Sequence, residues 1–430
     1  MKFLSTKNPS LRVSLEDVLL KQLSAQDGLY MPEVIPTFSA EELISLKTKT
    51  LQEIGVIILE KYIGDDIEHD RIKQIVYDSL NFPIPIRQVG PNLVLELFHG
   101  PTYAFKDIGA RILARLLDHY AIKSNKHITV IAATSGDTGG AVANGFGDLS
   151  TINAILLYPQ SNVSKLQEEQ LTRVADNVYP IAVQGTFDEC QKMVKQCFSD
   201  PNLLILNLTT ANSINIGRLI AQTIYYVYCW SQFQKNNMRF IVPSGNMGNV
   251  TAGLLAQKMG IPIDSFVAAC NENDPVVKYY NTGIYTPQDS VRTLSNAMDI
   301  GDPSNFERIL YLCNNDNNEF KKHITAVKVT DKETIQAIQE VHTKYNYLLD
   351  PHSAVAWKAN EMVTNDTVTN VIVSTASPLK FAVEIKKRTQ IDVDATEVLQ
   401  ILQQRAKKKY ISENNYFSVK EIIMNELINK

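Results

Sequence analysis

From about Asn81 onward, short β-rich runs alternate with stretches of helical apolar spacing, and this alternation constrains the fold more than any other feature of the chain. The runs are VLELF, HITVIAA, INAILLYP, VYPIAV, RFIVPS, SFVAA and NVIVSTA, with helical segments between most of them. Strand and helix in alternation imply right-handed βαβ units and parallel sheets. Such sheets keep ligands beyond the carboxyl ends of their strands. The turns after HITVIAA, RFIVPS and NVIVSTA are therefore where chemistry is expected, and unusual polar residues lie there.

The first eighty residues read differently, as helices broken by turns. EELISLKTKTLQEIGVIILEKYI and HDRIKQIVYDSL have helical spacing, and Pro32 and Pro36 punctuate an early loop. A later helix, from about Asp107 to His119, carries one apolar stripe of Ile108, Ile112, Leu113, Leu116 and Leu117. The most apolar stretch, Leu219 to Trp230, contains Gln222 and Thr223 and is too short to span a membrane, so a buried core helix is expected. A chain of 430 residues, 44% hydrophobic and 20% charged, can bury a large core divided among two or three domains. Its formal net charge of −4 points to neither nucleic acid nor an anionic membrane. Cys190, Cys197, Cys229, Cys270 and Cys313 are odd in number and form no C-x-x-C pair. They read as reduced thiols in a cytosol-like compartment, serving as small buried hydrophobes. The segment MKFLSTKNPSLRVSLEDVLL lacks a continuous apolar run and soon turns acidic, so a signal peptide is not expected.

Five constellations could carry chemistry. In Gly100-Pro101-Thr102-Tyr103-Ala104-Phe105-Lys106-Asp107, Lys106 sits where a loop becomes a helix. The positive end of a helix and partial burial both disfavour an ammonium, and a neutral amine is what aldehyde capture requires. A solvated surface lysine is the ordinary alternative. Thr134-Ser135-Gly136-Asp137-Thr138-Gly139-Gly140 follows a buried strand and exposes backbone N–H groups suited to an anion, or is a helix start capped by Ser135 or Asp137. Pro243-Ser244-Gly245-Asn246-Met247-Gly248-Asn249 repeats the strand–turn–helix pattern. It lacks both the Gly-Lys-Ser/Thr ending of a P-loop and G-x-G-x-x-G, which leaves a monophosphate cup or a plain turn. Asn212-Ser213-Ile214-Asn215-Ile216-Gly217-Arg218 is a capped helix start whose arginine could be a surface residue. Ser374-Thr375-Ala376-Ser377-Pro378 puts a hydroxyl at a strand end, where it could meet a ring nitrogen.

The order of these turns resembles the tryptophan-synthase-β (fold type II) family of pyridoxal-phosphate enzymes. Within it, PTYAFKD, TSGDTGG, ANSINIGR, VPSGNMGN and TLSNAMDIGDPSNFER, with QDGLYMPEVIP near the start, are similar to the threonine synthase branch found in enteric bacteria and fungi. The blocks run from about residue 27 to 381. Met247 replaces a usual phenylalanine, and Ser377 an expected histidine. The resemblance implies an α/β fold of two parallel-sheet, three-layer domains with an additional N-terminal helical region. Residues 1–80 would form that region, 81–107 with 210–430 the large cofactor domain, and 108–209 a smaller domain carrying the SGDTG loop. It implies conversion of O-phospho-L-homoserine and water to L-threonine and phosphate, by γ-elimination and β-addition of water. Lys106 would hold pyridoxal 5′-phosphate as a Schiff base and then act as the base. Gly245, Asn246, Met247, Gly248 and Asn249 would cup the cofactor phosphate, with Asp137 beside the ring hydroxyl and Thr375 at the ring nitrogen. Ser135 and Thr138 would bind the substrate carboxylate, and Asn212, Ser213, Arg218 and, less directly, Lys165 the substrate phosphate. No metal is implied, and a cytoplasmic monomer is expected. A serine/threonine dehydratase or an O-acetylserine sulfhydrylase on the same fold needs no second phosphate site, so ANSINIGR separates the readings. A non-catalytic ligand-binding relative would not need Lys106.

Overall fold

A computed structural model describes residues 1–21, 28–161, 163–363 and 367–429. Gln26 and Asp27, which open the QDGLYMPEVIP segment, lie outside the described residues.

The N-terminal region is helical, as the spacing predicts, but it also holds a small antiparallel sheet. Strands β1 (Phe3–Ser5), β2 (Arg12–Val13) and β3 (Tyr30–Pro32) pair in the order β2-β1-β3. They are too short to show a period of two. The predicted helical run from 41 to 63 is interrupted. Lys49 is extended, and Thr50 starts a new helix, Leu51–Ile63, through a capping box with Glu53. Each partner satisfies the other's backbone N–H, so the chain stops and restarts where that signature falls.

Beyond residue 81 the strands are β4 (Ile86–Val89), β5 (Asn92–Glu96), β6 (Ile128–Ala133), β7 (Ile152–Pro159) and β8 (Val178–Val183). They continue as β9 (Leu208–Thr210), β10 (Met238–Pro243), β11 (Ile263–Cys270), β12 (Ile324–Lys328), β13 (Thr369–Ser374) and β14 (Tyr410–Ser412). The larger sheet has the order β12-β11-β10-β13-β5-β4, parallel throughout except for the β4–β5 hairpin. The smaller sheet, β14-β8-β7-β6-β9, is wholly parallel. The resemblance implies that residues 210–430 belong to the large domain. The C-terminal segment departs from that, because β14 pairs with β8 and the Tyr416–Leu427 helix covers the same sheet through Val419 and Ile423.

The Lys106–Ser124 helix packs against the Asp137–Phe146 and Ile216–Phe233 helices. Ile108, Ile112, Leu113 and Leu117 have no exposed surface, and they share one apolar core with the Ile216–Phe233 helix and with Ile54, Ile58 and Ile72 of the N-terminal region. The Leu219–Trp230 stretch lies inside the Ile216–Phe233 helix and is buried along nearly its whole length, Gln222 included. Among the described residues, no helix is long and apolar enough to cross a membrane.

Candidate active site

The carboxyl ends of β6 and β10 and the turns after β5 and β13 converge on one cavity of about 400 Å³. Its wall includes Lys106, Ser135, Asp137, Thr138, Asn212, Ser213, Arg218, Gly245, Asn246, Met247, Gly248, Asn249 and Thr375. Lys165 is not among them. It is the first residue of the Lys165–Thr172 helix, which Ser164 caps, and its side chain is exposed to solvent. It is thereby removed from the anion-binding set.

Lys106 opens its helix, one residue earlier than the spacing suggested. The loop before it is stitched to the end of β13: Phe105 N–H donates to the Thr375 carbonyl at 2.9 Å, and Ser377 N–H to that of Tyr103 at 3.0 Å. That stitching puts Thr375 beside the lysine. Asp107 anchors the turn from below, fully buried, accepting from Thr102 N–H at 2.8 Å and the Thr102 hydroxyl at 2.6 Å. Burial pushes the Lys106 ammonium below its ordinary pKa. Asp137 opposes this, while the cations of Lys380 and Arg218 add to it. The lysine is thus held toward the neutral amine.

Asp137 begins the Asp137–Phe146 helix after Gly136, whose φ of +128° few residues but glycine adopt. Thr134 closes the turn by accepting from Gly136 N–H at 3.0 Å and Gly139 N–H at 2.7 Å. The Asp137 carboxylate is 3.5 Å from Lys106 Nζ through Oδ2 and 2.8 Å from Lys380 Nζ through Oδ1, which also accepts from Gln167 at 2.9 Å. Burial alone would raise its pKa, but the Lys380 and Lys106 cations outweigh that and hold it well below the carboxylate range.

The turn after β10 is built differently. A Cβ on Gly245 would lie 2.5 Å from the Met298 Cα, so only glycine lets that backbone pass. Met247, buried and in the left-handed region at φ 60°, is the cap of the Gly248–Lys258 helix. Asn246 donates to the Ser213 hydroxyl at 2.5 Å and accepts from Ser304 N–H at 2.6 Å. It links the turn to ANSINIGR on one side and to the Asp299–Asn305 loop on the other. Asn249 Oδ1 accepts from the Tyr225 and Tyr226 hydroxyls, at 2.6 and 2.7 Å.

Arg218 is 2% exposed, which overturns the alternative of a surface residue. Its Nη1 donates to the Ala211 carbonyl at 2.8 Å. Burial lowers its pKa to about 10. Among the described residues no carboxylate pairs with it, and its Nε has no partner. Asn249 Nδ2 and Gln222 Oε1, on the same cavity wall, also lack partners. Three unmet polar groups on one cavity wall, a guanidinium among them, suit a polar ligand.

Several contributors were not visible in sequence. His352 lines the cavity, donating from Nδ1 to Asp350 at 2.8 Å while Nε2 accepts from Ala297 N–H at 3.2 Å, which sets its tautomer. Asp299 reaches the same wall, and burial raises its pKa to about 6 against hydrogen bonds from Thr293 and Asn271. Lys380 stands behind Asp137. The first two sit at element ends of ordinary composition, and only the fold brings them together.

Residues 85–371 match the model for the family "Pyridoxal-phosphate dependent enzyme", and residues 2–80 match "Threonine synthase N terminus". Threonine synthase from Buchnera aphidicola subsp. Baizongia pistaciae is 38% identical, covering 91% of this chain and 92% of its own. The crystal structure of threonine synthase from Escherichia coli superposes with a TM-score of 0.91 at 34% identity, over 99% of this chain and 100% of that one. That of PLP-bound threonine synthase from Brucella melitensis gives 0.92 at 31% identity, over 99% of both. From motif order, paired parallel sheets and a shared cavity to similarity along the whole chain, the lines converge: this chain belongs to the pyridoxal-phosphate dependent enzymes and, within them, to the threonine synthases.

Proposed function

We propose that the chain converts O-phospho-L-homoserine and water into L-threonine and phosphate. The observation that carries this reading is Arg218, a buried guanidinium with an unpaired Nε and no carboxylate partner among the described residues, on the same cavity wall as Lys106. A buried charge without a counter-ion is costly, so the site is built for an anion that arrives with the ligand. A dehydratase on the same fold has no use for one there.

The residues suit the cofactor. Gly245 lets the backbone approach closely, the first turn of the Gly248–Lys258 helix offers N–H groups, and Asn249 Nδ2 is unpaired. Pyridoxal phosphate, when bound, supplies the electron sink that makes carbon acids of the substrate acidic enough to lose protons. Residues 245–249 would hold its phosphate, Asp137 would face its ring hydroxyl and Thr375 its ring nitrogen. Ser135 and Thr138 would take the substrate carboxylate, and Asn212, Ser213 and Arg218 the substrate phosphate. Lys106, kept toward the neutral amine, would remove the protons at Cα and Cβ and later return one. Arg218 would steady the phosphate as it leaves from Cγ.

The same reading takes the two parallel sheets as the cores of two domains with the cavity between them, and the chain as a monomer acting in the cytoplasm. The five buried, unpaired cysteines accord with that compartment. Light scattering on the purified protein checks the oligomeric state. The deciding experiment measures phosphate released from O-phospho-L-homoserine and identifies the co-product. Threonine in equal amount supports the reading, and 2-oxobutanoate with ammonia sinks it.

A further inference from the structure

Lys380 lies on the short turn Pro378–Phe381 that follows β13, and its side chain has no exposed surface. It does not line the cavity. Its Nζ has three acceptors: Asp137 Oδ1 at 2.8 Å, the Thr102 carbonyl at 2.8 Å and Gln170 Oε1 at 3.0 Å. Three acceptors match the three N–H bonds of an ammonium. Thr102 belongs to the loop that leads into Lys106, while Asp137 and Gln170 stand on two helices packed against each other, the first of which also packs against the smaller sheet. One buried cation therefore joins the large-sheet turn, the Lys106 loop and these two helices.

We propose that Lys380 is a positioning residue for Lys106, locking one oxygen of Asp137 so that only the other faces the reacting amine. The inference rests on Lys106 being the lysine that carries the cofactor. Gln167 shares the locked oxygen, and Oδ2 is left pointing at Lys106 Nζ, 3.5 Å away. Without Lys380 only the neutral Gln167 would hold that oxygen, and the carboxylate would give its whole charge to Lys106, drawing a proton onto the amine. With Lys380 in place the Asp137 charge is already balanced. The charged and titratable groups around the amine are then Asp137, Lys380 and Arg218, with His352 on the cavity wall from the Pro351–Met362 helix and Asp107 buried one residue away. The two cations nearest Lys106 disfavour a third, and Asp137 keeps the site from becoming strongly positive.

The test strips the cofactor, adds pyridoxal phosphate back over a range of pH, and follows the rate at which visible absorbance returns. Capture needs the neutral amine, so the rate rises through the pKa of Lys106. Lys380→Met should move that midpoint up by about one pH unit or more, Asp137→Asn should move it down, and the double variant should return close to wild type. Lys380→Met removes the shorter of the two ion pairs of a buried carboxylate and can fail to fold. In that event the comparison of Asp137→Asn with the double variant decides, since Lys380→Met should then raise the midpoint within the Asn background. Equal midpoints in all folded variants would reduce Lys380 to packing between the sheets and overturn the proposal. Borohydride trapping with peptide mapping separates the two failures. Cofactor found on a lysine other than Lys106 undoes the reading of the site itself, whereas cofactor on Lys106 with unmoved midpoints undoes only the role of Lys380.

Discussion

The turns after β6 and β10 read almost alike, Ser-Gly-Asp-Thr-Gly and Ser-Gly-Asn-Met-Gly, yet they have opposite electrical characters. In the first, Asp137 is a buried carboxylate held ionised by Lys380 and Lys106. In the second, Asn246 carries no charge and spends its hydrogen bonds on Ser213 and the Ser304 backbone. Both turns begin a helix and so present a positive dipole end. A phosphate dianion in the first would meet a carboxylate at close range, while in the second it would meet only amides. On the proposed reading, this exchange of Asp for Asn divides the work: the first turn's carboxylate serves the lysines while its hydroxyls take the substrate carboxylate, and the uncharged second turn takes the phosphate of the cofactor.

The largest effect that can break this division comes from the lysine the first turn serves. Lys106→Ala should abolish threonine formation and the visible absorbance of bound cofactor. A variant that still traps the cofactor covalently would show that another lysine carries it. Next is Gly245→Val. Its Cβ would collide with Met298 backbone, so the second turn must move. Overpacking of about 1–3 kcal/mol corresponds to roughly five- to 150-fold weaker cofactor retention, readable by equilibrium dialysis. Wild-type retention would take the phosphate away from this turn. Arg218→Ala sharpens the contrast by separating the two anions. It should leave cofactor absorbance intact and lower kcat/KM for O-phospho-L-homoserine by about ten- to 150-fold, from a charged hydrogen bond of roughly 1.5–3 kcal/mol. The phosphate is the leaving group, so kcat should fall with it. Steady-state kinetics with unchanged kcat/KM would leave the buried guanidinium without a ligand role.

The parts of the site that were legible in sequence are those carried by glycine and small polar residues directly after strands. TSGDTGG, VPSGNMGN and ANSINIGR all reach the cavity, because turn chemistry is local and the alternation of strand and helix says which end of the sheet it occupies. Lys380 was not legible. In SPLKFAVEIKKRT it reads as one basic residue among four, and the burial that distinguishes it comes from Gln170 and Thr102, more than two hundred residues away in sequence. Lys165, which the resemblance offers as a weaker phosphate ligand, is exposed at the start of the Lys165–Thr172 helix and does not line the cavity. Strand β14 is three residues long and gains meaning only by pairing with β8, so no local pattern marks the return of the C-terminus to the smaller sheet.

The smallest effect is the most discriminating, because it compares one methyl group in each turn. At Gly136 the backbone has φ +128°, and an added Cβ would fall 2.6 Å from the Gln167 side chain. Gly136→Ala should therefore destabilise the protein by about 1–3 kcal/mol before any ligand is present, seen as a lower melting temperature of the cofactor-free form. At Gly248 the backbone is helical, and an added Cβ would meet Asn305 at 3.4 Å and Ser213 at 3.7 Å, which is ordinary contact. Alanine is also the better helix former, so Gly248→Ala should leave the melting temperature of the cofactor-free protein unchanged or slightly raised. Any loss of cofactor affinity in that variant then reports on the ligand rather than on the fold. A phosphate resting on the Gly248 N–H would be crowded by the methyl, weakening retention by about five- to tenfold, or roughly 1 kcal/mol. A Gly248→Ala protein that melts normally and holds the cofactor like wild type would show that the phosphate does not reach the helix start, and would leave Gly245 to Met247 as the whole of the cup.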